Sequence, residues 1–214
     1  MDIVDPRIEA YMRERLTRFD EPILLEMEAR AEKLGFPIVG RNVGVTLEVI
    51  ARSVGARRVV ELGSGYGYSA YWFARSVGPK GELHLTDGDR DNERRALEFL
   101  GRAGLAEAVT FHVGDAVETL RELPGEFDIV YSDIDKDGYP DAWREASERI
   151  RVGGLYLCDN VLWSGRVTAA IEVDNRPHYT DAIVEHNRLI AEDERYVSTI
   201  VPTRDGVMVA VRVG

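Results

Sequence analysis

Cysteine and lysine are scarce in this sequence. Cys158 is the single cysteine among 214 residues, which excludes an intrachain disulfide. A lone thiol is typical of a reducing compartment, so we expect a cytoplasmic protein. The 27 basic residues include only three lysines, Lys33, Lys80 and Lys136, and the last of these lies within a cluster of acidic residues.

Long apolar runs and an excess of positive charge are also missing. No run of about 18 apolar residues is present and the chain is charged from Asp2 onward, so we expect neither a membrane span nor a signal peptide. The formal net charge of −11 disfavours non-specific binding to nucleic acid, which depends on a basic surface. The 44% hydrophobic and 30% charged content, without linkers or repeats, predicts a single globular domain over residues 1–214.

The order of the sequence patterns predicts an α/β fold. Up to about residue 54 the chain reads as three helices, and beyond it short apolar runs alternate with helical segments. This alternation is typical of a mostly parallel sheet with helices on both faces. The predicted strands cover residues 57–62, 82–87, 108–113, 127–133, 154–159, 196–201 and 206–213. The segment "PTRDG" between the last two is too short for a crossover, so these two strands must be antiparallel.

Polar or special residues stand at the ends of five predicted strands. They are Gly63, Asp87, Asp115 after Gly114, Asp133, and Asp159 with Asn160. The hydrophobic pattern does not require polar residues there, whereas ligands of open parallel sheets bind beyond the carboxyl ends of the strands. We therefore expect the binding site at this edge of the sheet.

A glycine-rich turn, "ELGSGYGYS", follows the first predicted strand. Its glycines allow close approach of a ligand, and the amides that open the next helix favour an anionic group. The dinucleotide pattern G-x-G-x-x-G is not met, because Tyr68 stands at the third glycine position. Asp87 follows at a distance typical of an acid that bonds a ribose. Asp115 either caps a helix or borders an adenine with Ala116. A nicotinamide dinucleotide and S-adenosylmethionine both remain open at this point.

The stretch "DIDKDG" from Asp133 resembles the opening of an EF-hand calcium loop, but that interpretation is excluded. The twelfth position of such a loop needs a bidentate Glu and is Arg144 here, and the eighth position is Pro140. A strand pattern also precedes the stretch, where an EF-hand needs a helix. The acids must therefore serve another purpose.

Asp133, Asp159 and Asn160 together form an all-oxygen ligand set that suits Mg²⁺. Lys136 lies beside them, and a lysine next to a divalent cation can act as a general base, which arginine cannot. The structural alternatives are a helix cap at Asp133, a left-handed turn at Asn160, and a plain ion pair of Lys136 with Asp135 or Asp137.

Taken together, these residues resemble the cation-dependent O-methyltransferases of the catechol and caffeoyl-CoA type. The similarity runs from about residue 42 to the C-terminus. The segments that carry it are "RRVVELGSGYGYSA", "GDAVETL", "FDIVYSDIDKDGY", "GGLYLCDNVLWSGRV", "HNRLIAEDERY" and "DGVMVAVR". The pattern D-x-x-K-x-x-Y followed by "DNVLWSG" is specific to that family. The resemblance implies a Rossmann-like class I methyltransferase fold, with a seven-stranded, mostly parallel sheet and an antiparallel last strand. It also implies that residues 1–41 form a helical N-terminal extension that contributes to the substrate mouth and to a homodimer.

The resemblance further implies cofactors and residue roles. The cofactors are S-adenosyl-L-methionine and Mg²⁺ or another divalent cation, and Lys136 is the catalytic base. The implied cofactor contacts are Val39, Glu61, Gly63, Ser64, Gly65, Ser69, Asp87, Asp115, Ala116, Asp133 and Asp135. The implied metal ligands are Asp133, Asp159 and Asn160, and the implied substrate contacts are Lys136, Trp163 and Ser164. Asp87 replaces the Glu that is usual in relatives, and Ser164 replaces an Asn that contacts substrate in the plant enzymes.

The implied function is Mg²⁺-dependent methyl transfer to a small, catechol-like aromatic acceptor. Three alternatives stay open: methylation of a hydroxyuridine in tRNA, a non-catalytic S-adenosylmethionine-binding module, and a dehydrogenase. The net charge disfavours tRNA, although arginines at positions 7, 13, 15, 18 and 41 could form a basic patch for it. The presence of Lys136, Asp133, Asp159 and Asn160 disfavours the non-catalytic module.

Overall fold

Seven strands form one sheet in the part of the chain that the computed structural model describes, residues 3–168 and 175–214. The strands are β1 Arg58–Leu62, β2 Glu82–Asp87, β3 Val109–Val113, β4 Phe127–Ser132, β5 Ile150–Cys158, β6 Tyr196–Val201 and β7 Val207–Arg212. Their order in the sheet is β3-β2-β1-β4-β5-β7-β6. The first five strands are parallel, and β7 is antiparallel to both β5 and β6. The predicted fold class is confirmed, including the reversed last strand.

Helices precede the sheet and connect its strands. They are α1 Pro6–Glu14, α2 Pro22–Leu34, α3 Gly40–Ser53, α4 Tyr68–Val77, α5 Arg90–Arg102, α6 Ala116–Glu122, α7 Tyr139–Arg149 and α8 Pro177–Glu192. Asp5, Asp89 and Asp115 each stand just before a helix, and each side chain accepts a hydrogen bond from a backbone N–H of the first turn. These bonds satisfy amide groups that the helix itself leaves unpaired, which explains where α1, α5 and α6 begin.

The fifth strand begins earlier than its sequence pattern predicts. Phe127 of β4 pairs with Ile150, but Ile129 pairs with Leu155, so extra residues of β5 are accommodated in a bulge. The glycine pair in "RVGG" makes this segment look like a turn in the sequence. The residues beyond the bulge regain the expected register and carry β5 to the predicted site edge.

Two apolar layers cover the two faces of the sheet. Because successive side chains of a strand point to opposite faces, Val59 packs with α3 and α4 on one face and Val60 with α7 and α8 on the other. Trp72 and Phe73 dominate the first layer, and Trp143 dominates the second. Among the described residues no helix is long and apolar enough to cross a membrane.

The sheet order reverses at β1, which lies between β2 and β4. At such a switch point the connections leave to opposite faces of the sheet and open a crevice beyond the strand ends. The ends of β1, β2 and β4 meet there, since Asp133 N donates to Leu62 O at 2.8 Å and Ser64 N donates to Thr86 O at 2.8 Å. The fold thus brings the predicted site residues to one edge.

Candidate active site

A cavity of about 1250 Å³ opens at the carboxyl ends of the parallel strands. Most of the predicted site residues line it: Val39, Gly63, Ser64, Gly65, Ser69, Asp87, Asp115, Ala116, Asp133, Asp135, Lys136, Asn160 and Trp163. Three predicted site residues stand outside this lining. Glu61 and Asp159 are fully buried behind it, and Ser164 lies beside it in the loop that follows β5.

The glycine-rich turn after β1 is shaped by a close approach of two backbones. Gly63 has φ +82°, and a Cβ built on it would lie 2.5 Å from the carbonyl oxygen of Asp133. A larger residue would therefore push the turns after β1 and β4 apart. Two residues further along the same turn, Gly65 N donates to Asp87 Oδ2 at 3.0 Å, which ties the glycine turn to the end of β2.

Asp87 is held in a fixed orientation at the cavity wall. Its Oδ1 accepts hydrogen bonds from Asp89 N at 2.8 Å and from Asn92 Nδ2 at 3.1 Å. Asp89, and not Asp87, caps α5. Asp87 is therefore spared the capping role and is placed where an acid can bond the ribose of a nucleoside.

Asp115 caps a helix and also lies at the cavity wall. Its side chain caps α6 by accepting from Glu118 N at 2.8 Å, and the residue also lines the cavity next to Ala116. The cap orients the amino end of α6 toward the cavity.

Glu61 acts on the cavity through Ser69. It is fully buried, and its Oε1 accepts a hydrogen bond from Ser69 Oγ, which lines the cavity. Its Oε2 is buried without a hydrogen-bond partner among the described residues. Burial raises the pKa of Glu61 to about 8, with smaller contributions from Asp133 and Asp87. The carboxyl group is thus largely protonated at neutral pH in the ligand-free chain.

Lys136 joins the ends of β4 and β5. Its Nζ donates to Asp133 Oδ1 at 3.0 Å, to Asn160 Oδ1 at 2.8 Å and to the hydroxyl of Tyr139 at 2.7 Å. The ion pair is therefore with Asp133, and not with Asp135 or Asp137. The hydroxyl of Tyr139 in turn donates to Asp159 O at 2.8 Å, so Tyr139 connects the lysine to β5.

Asp159, at the end of β5, has one side-chain oxygen with no hydrogen-bond partner among the described residues. Its Oδ2 accepts from Arg204 Nη1 and from Asn160 Nδ2, both at 3.2 Å. Its Oδ1 is buried without a hydrogen-bond partner in the described part of the chain. Burial, reinforced by the negative charge of Asp133, raises the pKa of Asp159. A carboxylate so placed gains from a cation at Oδ1.

The donor set fits a hard divalent cation. Asp133, Asp159 and Asn160 offer two carboxylates and an amide oxygen, which suit Mg²⁺ with water or substrate in its remaining positions. Within residues 3–168 and 175–214 no group of three His, Cys, Asp or Glu side chains could hold a metal ion, so the set depends on the amide of Asn160.

Strained backbone is concentrated beside this cluster. Among the described non-glycine residues, positive φ values occur at Asn160 (60°), Trp163 (48°), Ser164 (52°) and Arg204 (49°). The left-handed turn at Asn160 is therefore present, and the residue lines the cavity as well. Such conformations cost free energy and persist only where the surroundings hold them, which is common at functional sites.

The turn between β6 and β7 holds the loop after β5 in this conformation. Val161 N donates to Gly206 O at 3.1 Å, Leu162 N donates to Asp205 O at 2.9 Å, and Ser164 N donates to Asp205 Oδ1. Gly206 has φ +85°, and a Cβ there would lie 2.5 Å from Leu162 Cγ. The turn between β6 and β7 can therefore pack on the loop after β5 only with glycine at position 206.

Sequence reasoning missed three contributors to the site. Arg204 and Tyr179 line the cavity, and Tyr139 holds Lys136. Tyr139 belongs to the D-x-x-K-x-x-Y pattern, which is the signal that could have found it. Arg204 lies in "PTRDG", which reads only as a hairpin turn, and nothing in the sequence marks Tyr179.

A sheet of this order, with a glycine-rich turn after β1 and an acid at the end of β2, defines a class I methyltransferase. The model of the O-methyltransferase family matches residues 17–213, and the chain belongs to this family. It is an S-adenosylmethionine-dependent O-methyltransferase of the caffeoyl-CoA type.

Individual relatives agree with this placement. The chain is 30% identical over 178 residues to caffeoyl-CoA O-methyltransferase 1 of Eucalyptus globulus, which covers 79% of this chain and 72% of the relative. It is 32% identical over 179 residues to the caffeoyl-CoA O-methyltransferase of Pinus taeda, covering 79% and 69% of the two chains.

Solved structures are similar over nearly the whole chain. The O-methyltransferase TomG of Streptomyces achromogenes, solved in complex with SAM, has a TM-score of 0.83 at 26% identity and covers 94% of this chain and 95% of its own. A methyltransferase of Geobacter sulfurreducens has a TM-score of 0.82 at 28% identity and covers 99% and 98%.

Proposed function

We propose that this chain transfers the methyl group of S-adenosylmethionine to one hydroxyl of a small aromatic acceptor that carries two adjacent hydroxyls. Asp133, Asp159 and Asn160 would hold Mg²⁺ or another divalent cation for this reaction. The observation that carries the proposal is the cluster in which Lys136 Nζ contacts Asp133 and Asn160 next to the unpartnered Oδ1 of the buried Asp159.

The residues of the chain divide the work of the reaction. A bound divalent cation supplies a Lewis acid that makes an acceptor hydroxyl easier to deprotonate. Lys136, held by Tyr139 and Asn160, accepts that proton when it is in the neutral amine form, and steers it when it is in the ammonium form. The acceptor oxygen then forms a bond to the methyl carbon while the methyl–sulfur bond breaks, giving a methyl ether and S-adenosylhomocysteine. No general acid is needed because the sulfonium loses its positive charge.

The cavity wall would place the cofactor for this transfer. We assign the ribose to Asp87, the adenine to the Asp115–Ala116 edge, and the methionine part to Gly63 and Ser69, all of which line the cavity. Fixed positions of donor and acceptor supply a large part of the rate in such transfers.

A chelation experiment tests the proposal. Methyl transfer from S-adenosylmethionine to catechol or to 3,4-dihydroxybenzamide is measured before and after treatment with EDTA, and again after addition of Mg²⁺. We expect EDTA to suppress turnover and Mg²⁺ to restore it. Turnover that is indifferent to EDTA would overturn the metal-assisted mechanism.

The possible basic patch gives little support to tRNA as the acceptor. Four of the five arginines that could form a basic patch pair with acids of the chain, as in Arg7 with Asp5, Arg15 with Glu14, and Arg41 with Glu28. A gel-shift assay with bulk tRNA is therefore expected to give no complex, and a tight complex would favour the tRNA acceptor.

We also infer that the N-terminal helices form part of a homodimer interface. Ile8 and Tyr11 of α1 and Leu25 of α2 are exposed by 54%, 59% and 44%, and a partner subunit could cover these apolar side chains. Light scattering coupled to size exclusion tests this inference, and a monomer at micromolar concentration would contradict it.

A further inference from the structure

A second cavity adjoins the first. It has a volume of about 620 Å³ and lies between α2 and the segment that leads to α3. Phe36, Pro37, Ile38 and Arg204 line both cavities. The two cavities are therefore neighbours that share one wall.

Arg204 stands at the junction of the two cavities. Its backbone has φ +49°, a conformation that costs free energy in a residue other than glycine and that suggests a function for the side chain. Its Nη1 donates to Asp159 Oδ2 at 3.2 Å, and the side chain keeps 39% of its exposure. Asp159 is its only hydrogen-bond partner among the described residues. A guanidinium has five N–H donors, so Arg204, which lines both cavities, keeps donors for a ligand.

The other arginines of the second cavity differ from Arg204. Arg41 is buried, and its guanidinium is bound by both Glu28 and Asp20. Arg13 is on the rim with 65% of its side chain exposed, 3.5 Å from Glu28. Arg204 is therefore the cation placed to meet a ligand that spans the two cavities.

We propose that Arg204 binds an anionic group of the methyl acceptor, so that the acceptor is a hydroxylated aromatic acid whose carboxylate lies at the junction of the two cavities. The inference rests on the proposed function, since it places the hydroxyls of the same molecule at Lys136. A guanidinium recognises a carboxylate through two parallel hydrogen bonds, and the adjacent Asp159 leaves several of its donors unused. The apolar Phe36, Pro37 and Ile38 offer a wall for the aromatic part or for a longer tail.

The position of Arg204 suits a compact acceptor. It touches Asp159, whose neighbour Asn160 accepts from Lys136 Nζ at 2.8 Å. Arg204 and Lys136 thus contact adjacent residues, and we infer an acceptor with its hydroxyls and its carboxylate on one aromatic ring, as in a dihydroxybenzoate. Longer acids of the same class would extend into the second cavity.

Two acceptors that differ only in charge test this proposal. The parent chain, Arg204→Gln, Arg204→Lys and the remote surface control Arg188→Gln are assayed with 3,4-dihydroxybenzoate and with its neutral amide, 3,4-dihydroxybenzamide. We expect Arg204→Gln to lower the ratio of kcat/KM for the acid to kcat/KM for the amide by at least about tenfold, mainly through KM for the acid. Arg204→Lys should retain part of the preference for the acid over the amide, and Arg188→Gln should retain all of it.

The comparison separates recognition of the anion from an indirect effect. Removing the guanidinium also leaves Asp159 with one partner fewer, which would weaken turnover of both acceptors alike. An unchanged acid-to-amide ratio in Arg204→Gln therefore overturns the proposal, even if both rates fall. A loss of the ratio in Arg176→Gln but not in Arg204→Gln would also overturn it, by assigning the anion to another arginine of the main cavity lining.

A binding measurement keeps the result independent of turnover. Calorimetric titration of 3,4-dihydroxybenzoate into the chain saturated with S-adenosylhomocysteine is expected to show binding at least about tenfold weaker in Arg204→Gln. Arg204→Gly, which suits the positive φ, serves if the Gln variant fails to fold. Selective acid binding without methylation of either acceptor would reject the proposed function and keep the role of Arg204. Methylation of both acceptors without selectivity for the acid would keep the proposed function and reject the role of Arg204.

Discussion

Lys136 Nζ lies 2.8 Å from Asn160 Oδ1, although 24 residues separate the two along the chain. The contact exists because β4 and β5 are parallel neighbours whose carboxyl ends coincide at the same edge. It brings the only lysine of the cavity lining into direct contact with two of the three oxygens assigned to a cation, Asp133 Oδ1 and Asn160 Oδ1.

Replacement of this lysine by alanine is expected to abolish methyl transfer. Lys136→Ala removes the amine assigned to the acceptor proton, while the residues assigned to S-adenosylmethionine stay in place. We expect turnover to fall at least about a hundredfold, with an unchanged affinity for S-adenosylmethionine in calorimetry. Lys33→Ala, at an exposed position of α2, is the matched control. Unchanged turnover in Lys136→Ala would remove the base assignment.

Tyr139→Phe is expected to slow the reaction because it frees Lys136. The hydroxyl of Tyr139 accepts from Lys136 and donates to Asp159 O inside the core. Loss of a buried hydroxyl costs about 1–3 kcal/mol of stability wherever it occurs. The matched control is therefore Tyr156→Phe, whose hydroxyl is buried against His186 Nε2 at 3.0 Å. Both variants should melt at lower temperature, but only Tyr139→Phe should lose kcat and shift its pH profile. Equal kcat values in the two variants would contradict the positioning role.

The charge of Asp87 is expected to matter for cofactor affinity. Asp87→Asn keeps the side-chain shape but replaces one oxygen by an NH2 group, which cannot accept from Gly65 N or from a ribose hydroxyl. We expect S-adenosylmethionine to bind about tenfold more weakly, consistent with one lost hydrogen bond. Asp89→Asn is the control, because Asn caps a helix as well as Asp does. A dissociation constant that rises equally in both variants would argue for a change in α5 instead of a lost ribose contact.

Glu61 makes the stability of the ligand-free chain depend on pH. Its pKa is raised from 4.5 to about 8 by burial, so the unfolded chain gives up this proton at lower pH than the folded chain. The stability it contributes is present below about pH 4.5 and is lost as the pH rises to 8. Glu61→Gln removes the ionisation, so its melting temperature should rise relative to the parent between pH 5 and about pH 9. Exposed Glu98→Gln provides the comparison, and a constant difference between Glu61→Gln and parent across this range would refute the assignment.

The sheet edge could be predicted from the sequence because its signals are local. The alternation of apolar runs with helical segments gives the α/β class, and the polar residues after each run locate the site edge. Gly63 and Asp87 could be selected in this way, since a strand end and a fixed spacing identify both. The reversed β7 follows from the short connection before it.

Residues that depend on tertiary contacts could not be predicted. The partner of Lys136 is Asp133 because a short 3-10 helix, Lys136–Gly138, turns the lysine back toward the end of β4. Arg204 meets Asp159 only because β7 pairs with β5 and brings its turn to the cavity. The bulge in β5 likewise depends on pairing with β4, which no local pattern reveals.

The position of β7 between β5 and β6 also sets an order of assembly. β6 precedes β7 along the chain but can join the sheet only through it, since β5 pairs with β7 and not with β6. Until β7 has been synthesised, Asp159 lacks Arg204 and the loop after β5 lacks the carbonyl of Gly206 that holds Val161. Because a domain generally folds as a unit, the edge that carries Asp159 is complete only once the C-terminal hairpin has closed onto β5.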